Sequence, residues 1–154
     1  MTKTRILLVD DHAIVRLGLM TLLNDQPDME VVGEASTAGE AVIAVEKLRP
    51  DVVLMDIRLT DESGIDATRQ ITNKFKESKV VMLTSFANDD LVFRAISAGA
   101  VGYVLKQVGN EDLLKAIQAT ARGEALLDTS ITAKLLSHIR EFDRKSEQDA
   151  FREL

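Results

Sequence analysis

Asp10 and Asp11, Asp56, Thr84 and Lys106 each stand directly after a short apolar run, at residues 6–9, 52–55, 80–83 and 102–105. If those runs are parallel strands of an open sheet, their carboxyl ends face one shared crevice. Three carboxylates, a hydroxyl and an ammonium would then converge. Clustered carboxylates raise one another's pKa, and a divalent cation relieves that conflict. Mg²⁺, or Mn²⁺ in its place, suits such a set, because it prefers oxygen ligands and binds through a few carboxylates plus phosphate. A lysine supplies a compact positive charge for a phosphate oxygen, and a threonine hydroxyl can donate to another. Phosphoryl transfer depends mostly on such positioning and charge neutralisation. A carboxylate nucleophile would give an acyl phosphate. Taken singly, each residue has an ordinary reading: Asp10 and Asp11 as helix-capping loop residues, Asp56 as a loop carboxylate, Thr84 as a turn residue, Lys106 as a solvated cation. Their shared position after the strands is what argues for a site.

The elements that must position them are legible as an alternation. Strand-like runs at 6–9, 31–35, 52–55, 80–83 and 102–105 are mostly free of polar residues, as suits strands buried on both faces. Between them lie amphipathic stretches. The first carries Val15, Leu19, Leu22 and Leu23 on one face; the second Ala41, Val45 and Leu48, with Pro50 beyond; the third Ile65, Thr68, Ile71 and Phe75. The fourth carries Val92, Ala95 and Ile96 before Gly99, and the fifth Leu113, Leu114, Ile117 and Ala121 before Gly123. Five such repeats predict a doubly wound α/β sheet with right-handed crossovers. Residues 124–128 read as a linker, and Thr129 as the N-cap of a sixth helix carrying Ile131, Leu135, Ile139 and Phe142. Residues 144–149 read as a polar tether, and the chain stops at 151–154 without completing another element, as expected of a piece of a longer protein.

The 154 residues suit one domain. The apolar fraction of 45% and charged fraction of 29% are ordinary for a globular chain. No cysteine is present, which excludes disulfides and thiolate metal sites. The net charge of −6 and pI near 5.0 make the chain a poor candidate for gripping nucleic acid by itself. No signal peptide opens it, and no run approaches the roughly 20 apolar residues of a membrane helix. The expected location is the cytoplasm, with no membrane contact.

Four segments, Ile6-Leu7-Leu8-Val9-Asp10-Asp11-His12, Asp51-Val52-Val53-Leu54-Met55-Asp56, Met82-Leu83-Thr84-Ser85 and Gly99-Ala100-Val101-Gly102-Tyr103-Val104-Leu105-Lys106, together with Gly64, resemble a two-component response-regulator receiver of the NarL/FixJ (LuxR-type) family. The likeness covers about residues 4–123. It implies a flavodoxin-like, CheY-like fold: five parallel strands in the order 2-1-3-4-5, helices on both faces, and here a C-terminal linker helix. It implies a receiver domain over 1–123, with 124–154 leading to an absent helix-turn-helix domain. Asp56 would accept a phosphoryl group from a sensor histidine kinase. Asp10, Asp11 and Asp56 would hold the cation, directly or through water, with the backbone carbonyl of Arg58. Thr84 and Lys106 would bind the phosphoryl group. Thr84 and Tyr103 would form the switch, the aromatic ring swinging inward on activation. The alternative for Tyr103 is a half-buried strand aromatic with its hydroxyl in water. His12 reads as a surface residue beside the site rather than a ligand. The chain would be no enzyme, but an acceptor that assists its own phosphorylation and dephosphorylation.

Two departures stand out. Gln107 follows the lysine where relatives often have proline, so a trans bond is expected there. Leu59-Thr60 stands where they often have Met-Pro, which predicts a looser loop. Phosphorylation would drive homodimerisation. Leu17 and Met20, read as pointing away from the first helix's buried face, suggest an interface through helices 1 and 5; the alternative is the face of helix 4, strand 5 and helix 5. DNA would be bound only through the missing domain, whose first residue Leu154 resembles. Three other readings compete. A haloacid-dehalogenase-type phosphatase would want Asp-x-Asp after the first strand, and an FMN-binding module a Ser/Thr/Gly-rich phosphate loop there. A stand-alone receiver acting by protein contact would have little use for residues 124–154.

Overall fold

The computed structural model describes residues 2–85, 88–124 and 126–127. The strands are β1 (Thr4–Val9), β2 (Met29–Ala35), β3 (Val52–Met55), β4 (Lys79–Thr84), β5 (Gly102–Leu105) and β6 (Leu126–Leu127). The helices are α1 (Ala13–Asn24), α2 (Ala38–Leu48), α3 (Gly64–Lys74), α4 (Asp89–Ser97) and α5 (Asn110–Ala121). All the strands are parallel, in the order β2-β1-β3-β4-β5-β6. The five main strands thus take the expected order 2-1-3-4-5.

Side-chain alternation explains why the runs lack polar residues. Leu7, Val9, Val53, Met55, Val80 and Met82 enter one buried cluster with Ala41, Val45, Ile65, Ile71, Val92 and Ala95 from α2, α3 and α4. Ile6, Leu8, Val52, Leu54, Val81 and Leu83 enter the other with Leu23 of α1 and Leu113, Ala116 and Ile117 of α5. Each fully buried side chain of this size contributes about 1.5–3 kcal/mol.

Local chemistry starts and stops the helices. The Thr37, Ser63 and Asn88 side chains accept from backbone N–H groups of the first turns of α2, α3 and α4. Gly99, at φ 111°, ends α4: its N–H donates to Ile96, and that of Ala100 to Ala95. A side chain there would also meet Thr72.

The structure departs from the sequence expectation at several places. β2 begins two residues earlier and β1 two residues earlier than the apolar runs, because Thr4 pairs with Met29 at a sheet edge where polar residues can stay wet. The supposed linker contains β6, which pairs Leu126 and Leu127 with Gly102 and Tyr103; two residues are too few for a strand pattern to show. Ala121 is exposed, since α5 turns Ala116, Ile117, Ala119 and Thr120 inward instead. Met20 does not point away from the protein: with Leu19 and Leu22 it packs partly on the second cluster, because the buried arc of α1 is wider than one stripe. The sixth helix and the tether lie outside the described residues.

Candidate functional site

A parallel sheet aligns the carboxyl ends of its strands, so the residues just past them become neighbours. Asp10 follows β1, Asp56 follows β3 and Lys106 follows β5. Ladder bonds continue one step beyond the strands: Asp56 N–H donates to Val9 O at 3.0 Å, and Lys106 N–H to Thr84 O at 2.9 Å. Asp10 and Asp56 are 4% and 5% exposed, which is rare for carboxylates unless they are paired. The pairing is with Lys106, whose Nζ lies 2.8 Å from Asp10 Oδ2 and 3.2 Å from Asp56 Oδ2. Thr84 is fully buried at the end of β4.

Three carboxylates face one ammonium, and Asp10 and Asp56 are shifted in opposite directions. Burial pushes Asp56 up; Lys106 opposes this and the Asp10 charge adds to it. Burial also pushes Asp10 up, but hydrogen bonds from Lys106 and His12 outweigh it and hold Asp10 low. Burial alone would lower Lys106, yet its bond to Asp10 and the Asp56 charge hold it high. Asp11 Oδ1 is buried, makes no well-aligned hydrogen bond, and has the His12 ring Nδ1 2.9 Å away. An oxygen left so is costly, and it fits a cation ligand. Ligand atoms of Asp10, Asp11, His12 and Asp56 all lie within 4.8 Å of one another.

His12, read as a surface residue beside the site, is exposed there and reaches into this group. Its backbone N–H donates to Asp10 Oδ1 at 2.8 Å, and its ring Nδ1 lies 3.0 Å from the same oxygen. Arg16 was missed. Its guanidinium donates to the Asp10 carbonyl at 2.6 Å and to Glu34 Oε1 at 2.7 Å, tying the acidic pair to β2. Nothing in helical periodicity signals either contact.

The loop after Asp56 is tied to its surroundings at Arg58, Asp61 and Ser63. Arg58 is exposed there and bridges antiparallel to Ser63. Asp61 accepts from the N–H groups of Ala38 and Gly39 at 2.8 and 3.1 Å, capping α2 from another loop, and those bonds hold its carboxyl low. Gly64 is required: a Cβ there would stand 1.8 Å from the Asp56 carbonyl oxygen. No cis peptide bond occurs among the described residues, so the bond after Lys106 is trans as expected.

Tyr103 is 1% exposed and lies in the first core cluster, so its ring sits inward rather than half in water. Burial, and then the Asp56 charge, push its phenol well above the ordinary range. Of the two proposed interface residues, Leu17 is 64% exposed and Met20 half-buried; Ile14, which drew no notice in the sequence, is 85% exposed.

Fold and pocket together define a class: a doubly wound α/β protein whose acidic cleft, closed by a lysine, lies at the carboxyl edge of its sheet. Comparison with known proteins narrows this. Residues 6–118 match the family model "Response regulator receiver domain", and the chain belongs to that family. It is 44% identical over 136 residues to the transcriptional regulatory protein LiaR of Bacillus subtilis, covering 88% of this chain and 64% of that protein. It is 39% identical to the response regulator protein VraR of Staphylococcus aureus, covering 88% and 65%. The chain therefore spans just under two thirds of the length of these relatives. The crystal structure of a LuxR-family two-component response regulator from Aurantimonas superposes with a TM-score of 0.83 at 35% identity, over 89% of this chain and 98% of that one.

Proposed function

We propose that this receiver domain accepts a phosphoryl group on Asp56 from a phosphohistidine of a sensor kinase. The observation that carries the reading is the buried Asp56 carboxylate 3.2 Å from Lys106 Nζ, with carboxylate oxygens of Asp10 and Asp11 within 4.8 Å of it. An Asp56 oxygen attacks phosphorus; the P–O bond forms, the P–N bond breaks, and its electron pair stays on the imidazole, which takes up a proton. Asp10, Asp11 and Asp56, with the Arg58 carbonyl, would hold Mg²⁺ or Mn²⁺. That ion would neutralise charge on the transferred group. Lys106 leaves its two carboxylates to pair with the phosphoryl oxygens, and Thr84 donates to another.

The added group brings about −1.5 to −2 charges. Thr84 and Tyr103 then shift between two arrangements, so phosphorylation acts by changing populations. The response is homodimerisation through α1 and α5, supported by exposed Ile14 and Leu17 on α1 and by open space around Gly18. In the longer protein, likeness to a transcriptional regulatory protein supports a DNA-binding output in the cytoplasm. No helix among the described residues is long and apolar enough to cross a membrane.

Incubation with Mg²⁺ and a small acyl-phosphate donor should add the mass of one phosphoryl group to the intact chain. Chelation of the metal, or Asp56→Asn, should abolish the gain; a gain that survives Asp56→Asn refutes the assignment.

A further inference from the structure

We infer that His12 is an internal plug of the cation site: its Nδ1 stands between Asp10 and Asp11 in the place of a divalent cation and must leave for the cation to bind. The inference rests on the reading of the pocket as a cation site. Nδ1 lies 3.0 Å from Asp10 Oδ1 and 2.9 Å from Asp11 Oδ1. A nitrogen this close to two carboxylate oxygens carries the proton, since a lone pair there would meet only acceptors. The imidazole therefore holds a hydrogen where Mg²⁺, at about 2.0–2.1 Å from its oxygen ligands, would hold positive charge. Both cannot use the same side of Asp10 Oδ1. The other oxygen of Asp10 is already engaged by Lys106.

The rest of His12 is built to let the ring go. Its side chain is 67% exposed, so swinging outward breaks no core packing. His12 is the N-cap of α1, yet its side chain makes no capping bond, so the helix does not hold the ring in place. The backbone N–H of His12 stays on Asp10 Oδ1 at 2.8 Å when the ring leaves, and so does the grip of Arg16 on the Asp10 carbonyl. The acidic pair keeps its position while its inner face opens. A histidine that served instead as a ligand would turn an unprotonated nitrogen to the ion and favour metals that take imidazole, such as Ni²⁺, over Mg²⁺.

The test is to titrate Mg²⁺, and separately Ni²⁺, into the wild-type chain, His12→Ala and His12→Phe, following heat of binding. The plug predicts that both variants bind Mg²⁺ roughly fivefold more tightly, the effect of one hydrogen bond that no longer has to break. His12→Phe keeps a ring but no nitrogen, so tightening in Ala alone would make bulk the cause and overturn the inference. Unchanged or weaker Mg²⁺ binding in both variants would overturn it too. Weaker Ni²⁺ binding in both would make His12 a ligand and likewise overturn it. In the wild type, the His12 ring resonances should move on Mg²⁺ addition; if they stay put while Mg²⁺ binds, the ring never left. Failure of all three proteins to bind Mg²⁺ would instead strike the reading of the pocket itself.

Discussion

Burial holds the Asp56 carboxyl above its ordinary value of 3.8, with Lys106 opposing and Asp10 adding to the shift. Folded Asp56 thus keeps its proton over a range where the unfolded chain has lost it. Stability falls as pH rises from 3.8 through the folded value, and the penalty is complete above it. Asp56→Asn removes that penalty and leaves Lys106 its bond to Asp10. The variant should melt higher than wild type at pH 7, the gap closing as pH falls toward 4; a variant that melts lower at pH 7 would contradict this. Mg²⁺ should raise the wild-type melting temperature more than that of the variant. At this scale the sequence was only partly readable. Asp10, Asp56 and Lys106 could be placed because each follows a strand. Asp61 and Arg16 could not, because their partners belong to loops and turns whose meeting depends on the closed fold.

The elements differ in how far pattern alone reveals them. β3 and β5 have the bounds of their apolar runs, since both faces of those strands are buried and any polar residue would have to be satisfied inside. β6 hid in a supposed linker because its evidence is pairing, not periodicity. α1 is the instructive case. Its inner arc takes Met20 as well as Leu19, Leu22 and Leu23, while Ile14 and Leu17 remain outside. Gly18 sits beside them in mid-helix with nothing within 4 Å of an added Cβ. Gly18→Ala should therefore stabilise the unphosphorylated domain by about 0.5–1 kcal/mol in denaturant melts. Leu17→Glu should leave those melts within about 0.5 kcal/mol of wild type and weaken self-association of the phosphorylated chain in sedimentation. Unchanged association would move the interface away from α1.

At the scale of the whole molecule, the parallel sheet brings residues far apart in sequence to one edge. Lys106 is bonded to Asp10, 96 positions earlier, and to Asp56, 50 positions earlier. The same geometry surrounds Tyr103 with core side chains. The central claim is that this edge exists to load Asp56. Borohydride reduces an aspartyl phosphate to homoserine, and peptide mapping then reports its position. After treatment of the chain with Mg²⁺ and an acyl-phosphate donor, homoserine is predicted at residue 56 alone. Homoserine at Asp10, Asp11 or elsewhere, or none at all in a chain that has gained phosphoryl mass, would contradict the account.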